Sequence, residues 1–177
     1  RTDEYGRDRY LIVKQVVRAV REAVGPDYPL FYRVSADDFL GEAGLTIDET
    51  ANVYAPLLEE LGIDCIDVSG GIQERVYYNI QPLYSPKAPI LYLAERVKEK
   101  VNIPVIGVGR INDPKLVDRI LAQGKVDMVA MARQSLADPD LPRKMSEGRD
   151  DEVRKCIACD TGCSYRHIVQ WVADCSI

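Results

Sequence analysis

The chain has 177 residues, with 23 Lys+Arg against 28 Asp+Glu for a formal charge of −5, and 46% of its residues are hydrophobic. That is an ordinary globular composition, and its acidity, without any run of basic residues, excludes the electrostatic footprint of a nucleic-acid binder or of a protein drawn to an anionic membrane. No apolar stretch reaches the roughly 18 residues needed to cross a bilayer and no charged-then-apolar leader opens the chain, so the expectation is a cytoplasmic protein.

A chain of this length can bury one real core but is crowded for two. It opens on Arg1-Thr2-Asp3-Glu4-Tyr5-Gly6, polar loop material without a preceding element, and is read as a piece of something longer. Val13, Val16, Val17, Val20 and Val24 then form one apolar stripe at helical spacing, stopped by Gly25-Pro26. Four βα units follow. The predicted strands are Leu30–Val34, Cys65–Val68, Pro104–Val108 and Asp127–Met131, each nearly continuous in apolar character, as strands of a parallel sheet covered on both faces are. Between the first two, Thr46 and Glu49 have capping-box spacing, Leu57, Leu58 and Leu61 share a face, and Pro56 should kink the helix that carries them. A third helix opens near Pro89 with Leu91, Ala94 and Val97, and a fourth has Asp113 as N-cap, Pro114 in its first turn and Gly124 as its stop. Asp138-Pro139 and the stretch to Gly148 predict one more short helix. The pattern is α/β, either half of an eight-stranded β/α barrel or an open doubly wound sheet.

Ligands of parallel α/β sheets sit at the carboxyl ends of the strands. Three of the four predicted ends present an arginine, Arg33, Arg110 and Arg133, and two set it beside small residues (Gly107, Gly109, Ala132) that let backbone N–H groups approach an anion. This is the make-up of a phosphate site. The plain alternative is surface ion pairing, of Arg33 with Asp37 or Asp38, Arg110 with Asp113, and Arg133 with Asp138. Gly107-x-Gly109 lacks the third glycine of the dinucleotide fingerprint, which disfavours a Rossmann nicotinamide site.

The tail is more specific. Cys156, Cys159, Cys163 and Cys175 fall within the last 22 residues, in the spacing Cys-x2-Cys-x3-Cys-x11-Cys. Four thiolates are what a [4Fe–4S] cluster requires, whereas zinc ribbons pair two Cys-x2-Cys units 15–20 residues apart. Iron–sulfur, zinc and unligated thiols stay open on spacing alone. His167, the one histidine, is read as a bystander with a ligand role as the alternative, and Cys65, mid-strand, as a small core residue.

Together, Arg1–Gly6, Tyr32-Arg33-Val34-Ser35, Val68-Ser69-Gly70-Gly71, Ile103 to Ile111, and Ala130-Met131-Ala132-Arg133 through Ala137-Asp138-Pro139 resemble the NADH:flavin oxidoreductase (old yellow enzyme) family. The cysteine spacing is similar to its iron–sulfur branch, which includes 2,4-dienoyl-CoA reductase, enoate reductase, the bile-acid-inducible reductases and trimethylamine dehydrogenase. The resemblance implies the second half of an FMN-bearing TIM (β/α)8 barrel, strands five to eight, over residues 1–150, and a cluster-binding segment over 151–177. It implies that Arg33 lies against the flavin pyrimidine edge, that Gly109, Arg110, Ala132 and Arg133 hold the FMN phosphate, and that Cys156, Cys159, Cys163 and Cys175 ligate a [4Fe–4S] cluster. The implied activity is reduction of an activated C=C bond of an enoate or enoyl-CoA with electrons from NAD(P)H, delivered through an FAD domain. The barrel's other half and that domain would lie elsewhere in a longer parent, as partners of an isolated chain expected to be inactive, with a homo-oligomer as a further possibility. Two rivals accompany it, an amine dehydrogenase of the trimethylamine type and a non-catalytic zinc module. The pattern departs from the family in two places. Gly6 runs straight into Arg7-Asp8-Arg9-Tyr10, a shortened opening, and Ile72-Gln73-Glu74-Arg75 supplies no histidine where some members carry a proton donor. Tyr77 or Tyr78 could serve there, but packing or rim is the first reading for either.

Overall fold

The computed structural model describes residues 1–166, 169 and 172–177, so His167 lies outside the described residues. A short helix α1 (Glu4–Arg7) leads into α2 (Leu11–Val24), after which strands β1 (Phe31–Ser35), β2 (Cys65–Ser69), β3 (Val105–Gly107) and β4 (Met128–Val129) form one sheet in the order β1-β2-β3-β4. All three pairings are parallel, with Phe31 opposite Cys65, Ile66 opposite Val105 and Ile106 opposite Met128. The strand order runs in sequence with no reversal, so there is no switch point of the doubly wound kind, and the architecture is that of half a (β/α)8 barrel.

Helices α3 (Ile47–Glu49), α4 (Ala55–Glu60), α5 (Val76–Asn79), α6 (Leu91–Lys98) and α7 (Pro114–Ala122) connect the strands, and the core lies between α4, α6, α7 and the sheet, with Ala55, Leu58, Ile66, Leu93, Ala94, Val97 and Val105 wholly buried. Thr46 caps α3 by accepting from the Glu49 N–H at 3.3 Å. The Glu49 carboxylate does not return to close a capping box, because it is taken by Arg9 and by the Tyr10 hydroxyl. Pro56 is accommodated rather than kinking a regular helix: a π turn (Thr50–Tyr54), closed by the Ala55 N–H on the Thr50 carbonyl, widens the ladder just ahead of the proline. Asp113 caps α7 through the Lys115 N–H, with Pro114 in the first turn.

The structure departs from the predicted elements at the sheet margins. β4 is two residues, not five; ahead of it Asp127 still bonds β3 through its N–H to the Val105 carbonyl at 3.0 Å, while its carboxylate accepts from the Val105 N–H, 2.9 Å away, and from Lys98. The valine stripe of α2 is mostly exposed: Val17 is buried, but Val16, Val20 and Val24 are 41–50% accessible. β1 is an edge strand, so α2 meets only the rim of the sheet. Beyond β4 come α8 (Ala132–Ala137) and α9 (Leu141–Ser146), then a second π turn (Thr161–Tyr165) among the cysteines. No helix among the described residues is long and apolar enough to cross a membrane.

Candidate functional site: an anion cleft against a cysteine hollow

The carboxyl ends of β3 and β4 open into a cleft of about 120 Å³, lined by Arg33, Gly109, Arg110, Ala132 and Arg133, the residues singled out from sequence, together with Asn79, Gln81, Asn112, Gln134 and Cys156. Gly109 has φ +116°, and a Cβ there would stand 2.7 Å from Ile90 Cγ1, so only glycine lets the backbone turn this closely under the cleft. Arg110 follows in the left-handed region at φ +48°. Its Nη1 donates to the Ser85 carbonyl, while its buried Nε has no partner among the described residues. An unpaired, buried guanidinium N–H is costly unless an acceptor arrives, and the cleft is where one can. Opposite, α8 begins at Ala132 with no capping side chain from Met131, so the first-turn N–H groups of Ala132, Arg133 and Gln134 are also without a side-chain acceptor there.

The ion pairs expected from sequence form otherwise. Asp113 is held by Lys87 and Lys155, each at 3.2 Å, not by Arg110. Asp138 is held by Lys144 at 2.6 Å and by the Arg154 N–H, not by Arg133. Arg33 reaches neither Asp37 nor Asp38: its strand position sets it across the ladder from Asp67, which it meets at 2.5 Å, with a second bond to Ser69 Oγ. Arg133 pairs with Asp160 at 2.7 Å and donates to the Gln81 carbonyl at 2.9 Å.

A second, small hollow, of about 10 Å³, shares Arg133 and Cys156 with the first and is lined by all four tail cysteines, with Leu136 and Ile157 as apolar wall. The folding of the tail that achieves this is local. Ala158 and Asp160 adopt φ +56° and +58°, which turns the chain so that Cys156 and Cys159 face one space. Gly162 lets the returning segment approach: a Cβ would meet the Asp174 carbonyl at 2.6 Å, and the Asp174 N–H bonds the Gly162 carbonyl, delivering Cys175 beside Cys163. The thiols stand around the hollow rather than on one point, and among the described residues no three Cys, His, Asp or Glu side chains close on a single-ion site. Burial pushes the Cys156 thiol up, against the Ala158 N–H, which donates to its Sγ at 3.4 Å, and the nearby Arg133 charge. The more open Cys159 is drawn below the usual thiol range by the Thr161 N–H.

Two amides that the sequence reading missed fasten this tail to the barrel. Gln134, 2% exposed, accepts from the Cys156 N–H at 2.8 Å and donates to the Arg154 carbonyl at 2.9 Å, and Asn112 donates to the Cys156 carbonyl at 2.6 Å. An isolated Gln or Asn beside a strand end carries no periodic signal, so nothing in the sequence separates these from solvated side chains. Tyr78 stacks on Phe39 with ring centroids 3.7 Å apart and Tyr77 is half exposed, so both follow the packing or rim reading, and neither lines the cleft.

Residues 1–152 match the NADH:flavin oxidoreductase / NADH oxidase family. Among curated proteins, an NADH oxidase of Thermoanaerobacter brockii is 43% identical over 96% of this chain and 26% of its own length. Among solved structures, a 2-naphthoyl-CoA reductase in complex with 2-naphthoyl-CoA superposes with a TM-score of 0.92 at 30% identity, over 99% of this chain and 27% of that one. A histamine dehydrogenase from Rhizobium sp. 4-9 superposes with a TM-score of 0.84 at 32% identity, over 99% and 25%. The chain thus spans about a quarter of the length of these relatives.

Proposed function

The chain belongs to the NADH:flavin oxidoreductase / NADH oxidase family, and from that premise we propose that it is the phosphate-holding and cluster-holding part of an FMN and iron–sulfur enzyme that reduces an activated C=C bond, of the enoate or enoyl-CoA kind, with electrons from NAD(P)H. The observation that carries this reading is the shared wall between the two hollows: a cleft with an unpaired arginine N–H abuts a space ringed by four thiols. When bound, FMN supplies two-electron redox chemistry and a [4Fe–4S] cluster supplies single electrons.

The work of this chain's residues is to bind and position. Arg110 Nε and the uncapped first turn of α8 donate to the phosphate dianion, and Arg133, within that turn, adds positive charge. Arg33, steered by Asp67, holds its guanidinium over the cleft, where it favours negative charge on a reduced ring. Cys156, Cys159, Cys163 and Cys175 hold the inorganic core, with the Ala158 N–H bonded to the Cys156 sulfur and the Arg133 charge nearby easing the thiolate there. The relatives' greater length leaves the remaining barrel strands and an FAD domain as the partners required, and the chain alone is proposed to show no turnover. The likeness to histamine dehydrogenase favours one second reading, amine oxidation, which turnover of an amine but not of an enoate by the full-length enzyme would select.

The test is a flavin titration. FMN should bind the chain and riboflavin, which lacks the phosphate, should bind at least tenfold more weakly, since a charge-assisted contact contributes about 1.5–3 kcal/mol. Equal binding of the two would remove the phosphate assignment.

A further inference from the structure

Arg133 is the only side chain, apart from that of Cys156, that lines both hollows among the described residues. It is mostly buried, at 18% exposure, and its Nη1 makes two bonds, to Asp160 Oδ1 and to the Gln81 carbonyl. Asp160 is well placed to fix the cysteine segment. It directly follows Cys159 in a left-handed conformation, its carboxylate also accepts from Ser164 Oγ at 3.2 Å, and its carbonyl accepts from the Tyr165 N–H at 2.8 Å, closing the π turn that contains Cys163. Gln81, whose carbonyl accepts from that same Nη1, is 2% exposed and lines the anion cleft. One nitrogen of a largely buried guanidinium, Nη1, therefore ties a barrel loop to the turn between two thiols.

We propose that Asp160 is a positioning residue that, by holding Arg133, links the two sites so that filling the cysteine hollow tightens binding of the flavin phosphate, and the reverse. This rests on the reading that the cleft takes FMN and the thiols take an iron–sulfur core. Ordering the Cys159–Cys163 turn around the core fixes Asp160, which fixes the Arg133 guanidinium through Nη1, and the phosphate then binds a guanidinium already in place. The same charge lies between two anionic groups and offsets their repulsion. Any such linkage is reciprocal in free energy.

The experiment measures FMN binding, by quenching of flavin fluorescence, to the chain loaded anaerobically with iron and sulfide and to the same chain stripped with a chelator. The loaded form should bind FMN about tenfold more tightly, within the usual range of linkage between sites. Asp160→Asn should erase that difference while leaving the stripped chain's affinity at the wild-type value, and Asp160→Glu should restore it. A residue that merely supports the fold would weaken both forms alike. Equal affinity in the loaded and stripped wild type, or a difference that persists in Asp160→Asn, overturns the proposal. Should Asp160→Asn fail to retain iron, the wild type still decides: FMN should raise by the same factor the chelator concentration that removes half the iron at equilibrium and riboflavin should not, and equal effects of the two overturn it. If FMN binds no form of the chain, the phosphate reading itself fails, an outcome distinct from binding without linkage.

Discussion

Replacing Arg110 by alanine should weaken FMN binding to the cluster-free chain by about tenfold to a hundredfold and leave riboflavin binding unaltered. The magnitude is that of one charged hydrogen bond, about 1.5–3 kcal/mol, converted to affinity. Among the described residues this is the side chain in the cleft with a buried donor and no acceptor, so its removal costs the apo chain the Ser85 bond and the bound chain a full contact more. Alanine is strained no more than arginine at φ +48°, so the backbone effect of the substitution is small. Flavin titrations of both proteins check it, and an FMN affinity within twofold of wild type would return Arg110 to a structural role through its bond to the Ser85 carbonyl.

Cys159→Ser should reduce the iron held by the anaerobically reconstituted chain from about four to below about one per chain, with loss of the visible colour, because three thiolates and a hydroxyl are a poor set for a cluster that needs four sulfur ligands. Cys159 is the fitting choice, being exposed, at the rim of the hollow, and free of core packing. Cys65→Ser is the control. That thiol is 1% exposed within β2 and its proton is held more firmly by burial, so its replacement should leave the iron content unchanged. Undiminished iron in Cys159→Ser would take that residue out of the ligand set.

Much of the fold was legible because it is written in runs. β1 to β3 lie within a residue or two of their apolar stretches, and Thr46, Asp113 and Pro114 mark helix starts where capping chemistry places them. Pro56 announced an irregularity, but which one depended on the chain absorbing it in a π turn, a choice set by packing of Thr50, Ala51 and Tyr54 rather than by the proline. The α2 stripe was legible as a helix but not as the mostly exposed face it is, since amphipathicity reports a face that wants cover and not whether the same chain supplies it. At the site, strand ends located the arginines, but their partners came from register and from the tail: Asp67 faces Arg33 across a ladder, and Asp160 meets Arg133 from 27 positions away. Gln134 and Asn112 were invisible for the reason that makes them useful, since buried amides that satisfy backbone groups look in sequence like solvated ones.

The most direct measurement is metal and acid-labile sulfide analysis of the chain purified without oxygen. About four irons and about four sulfides per chain, with a broad absorption band in the visible, are the predicted result. A colourless chain carrying one zinc and no sulfide would contradict it and leave a structural cysteine module beside an arginine-lined cleft.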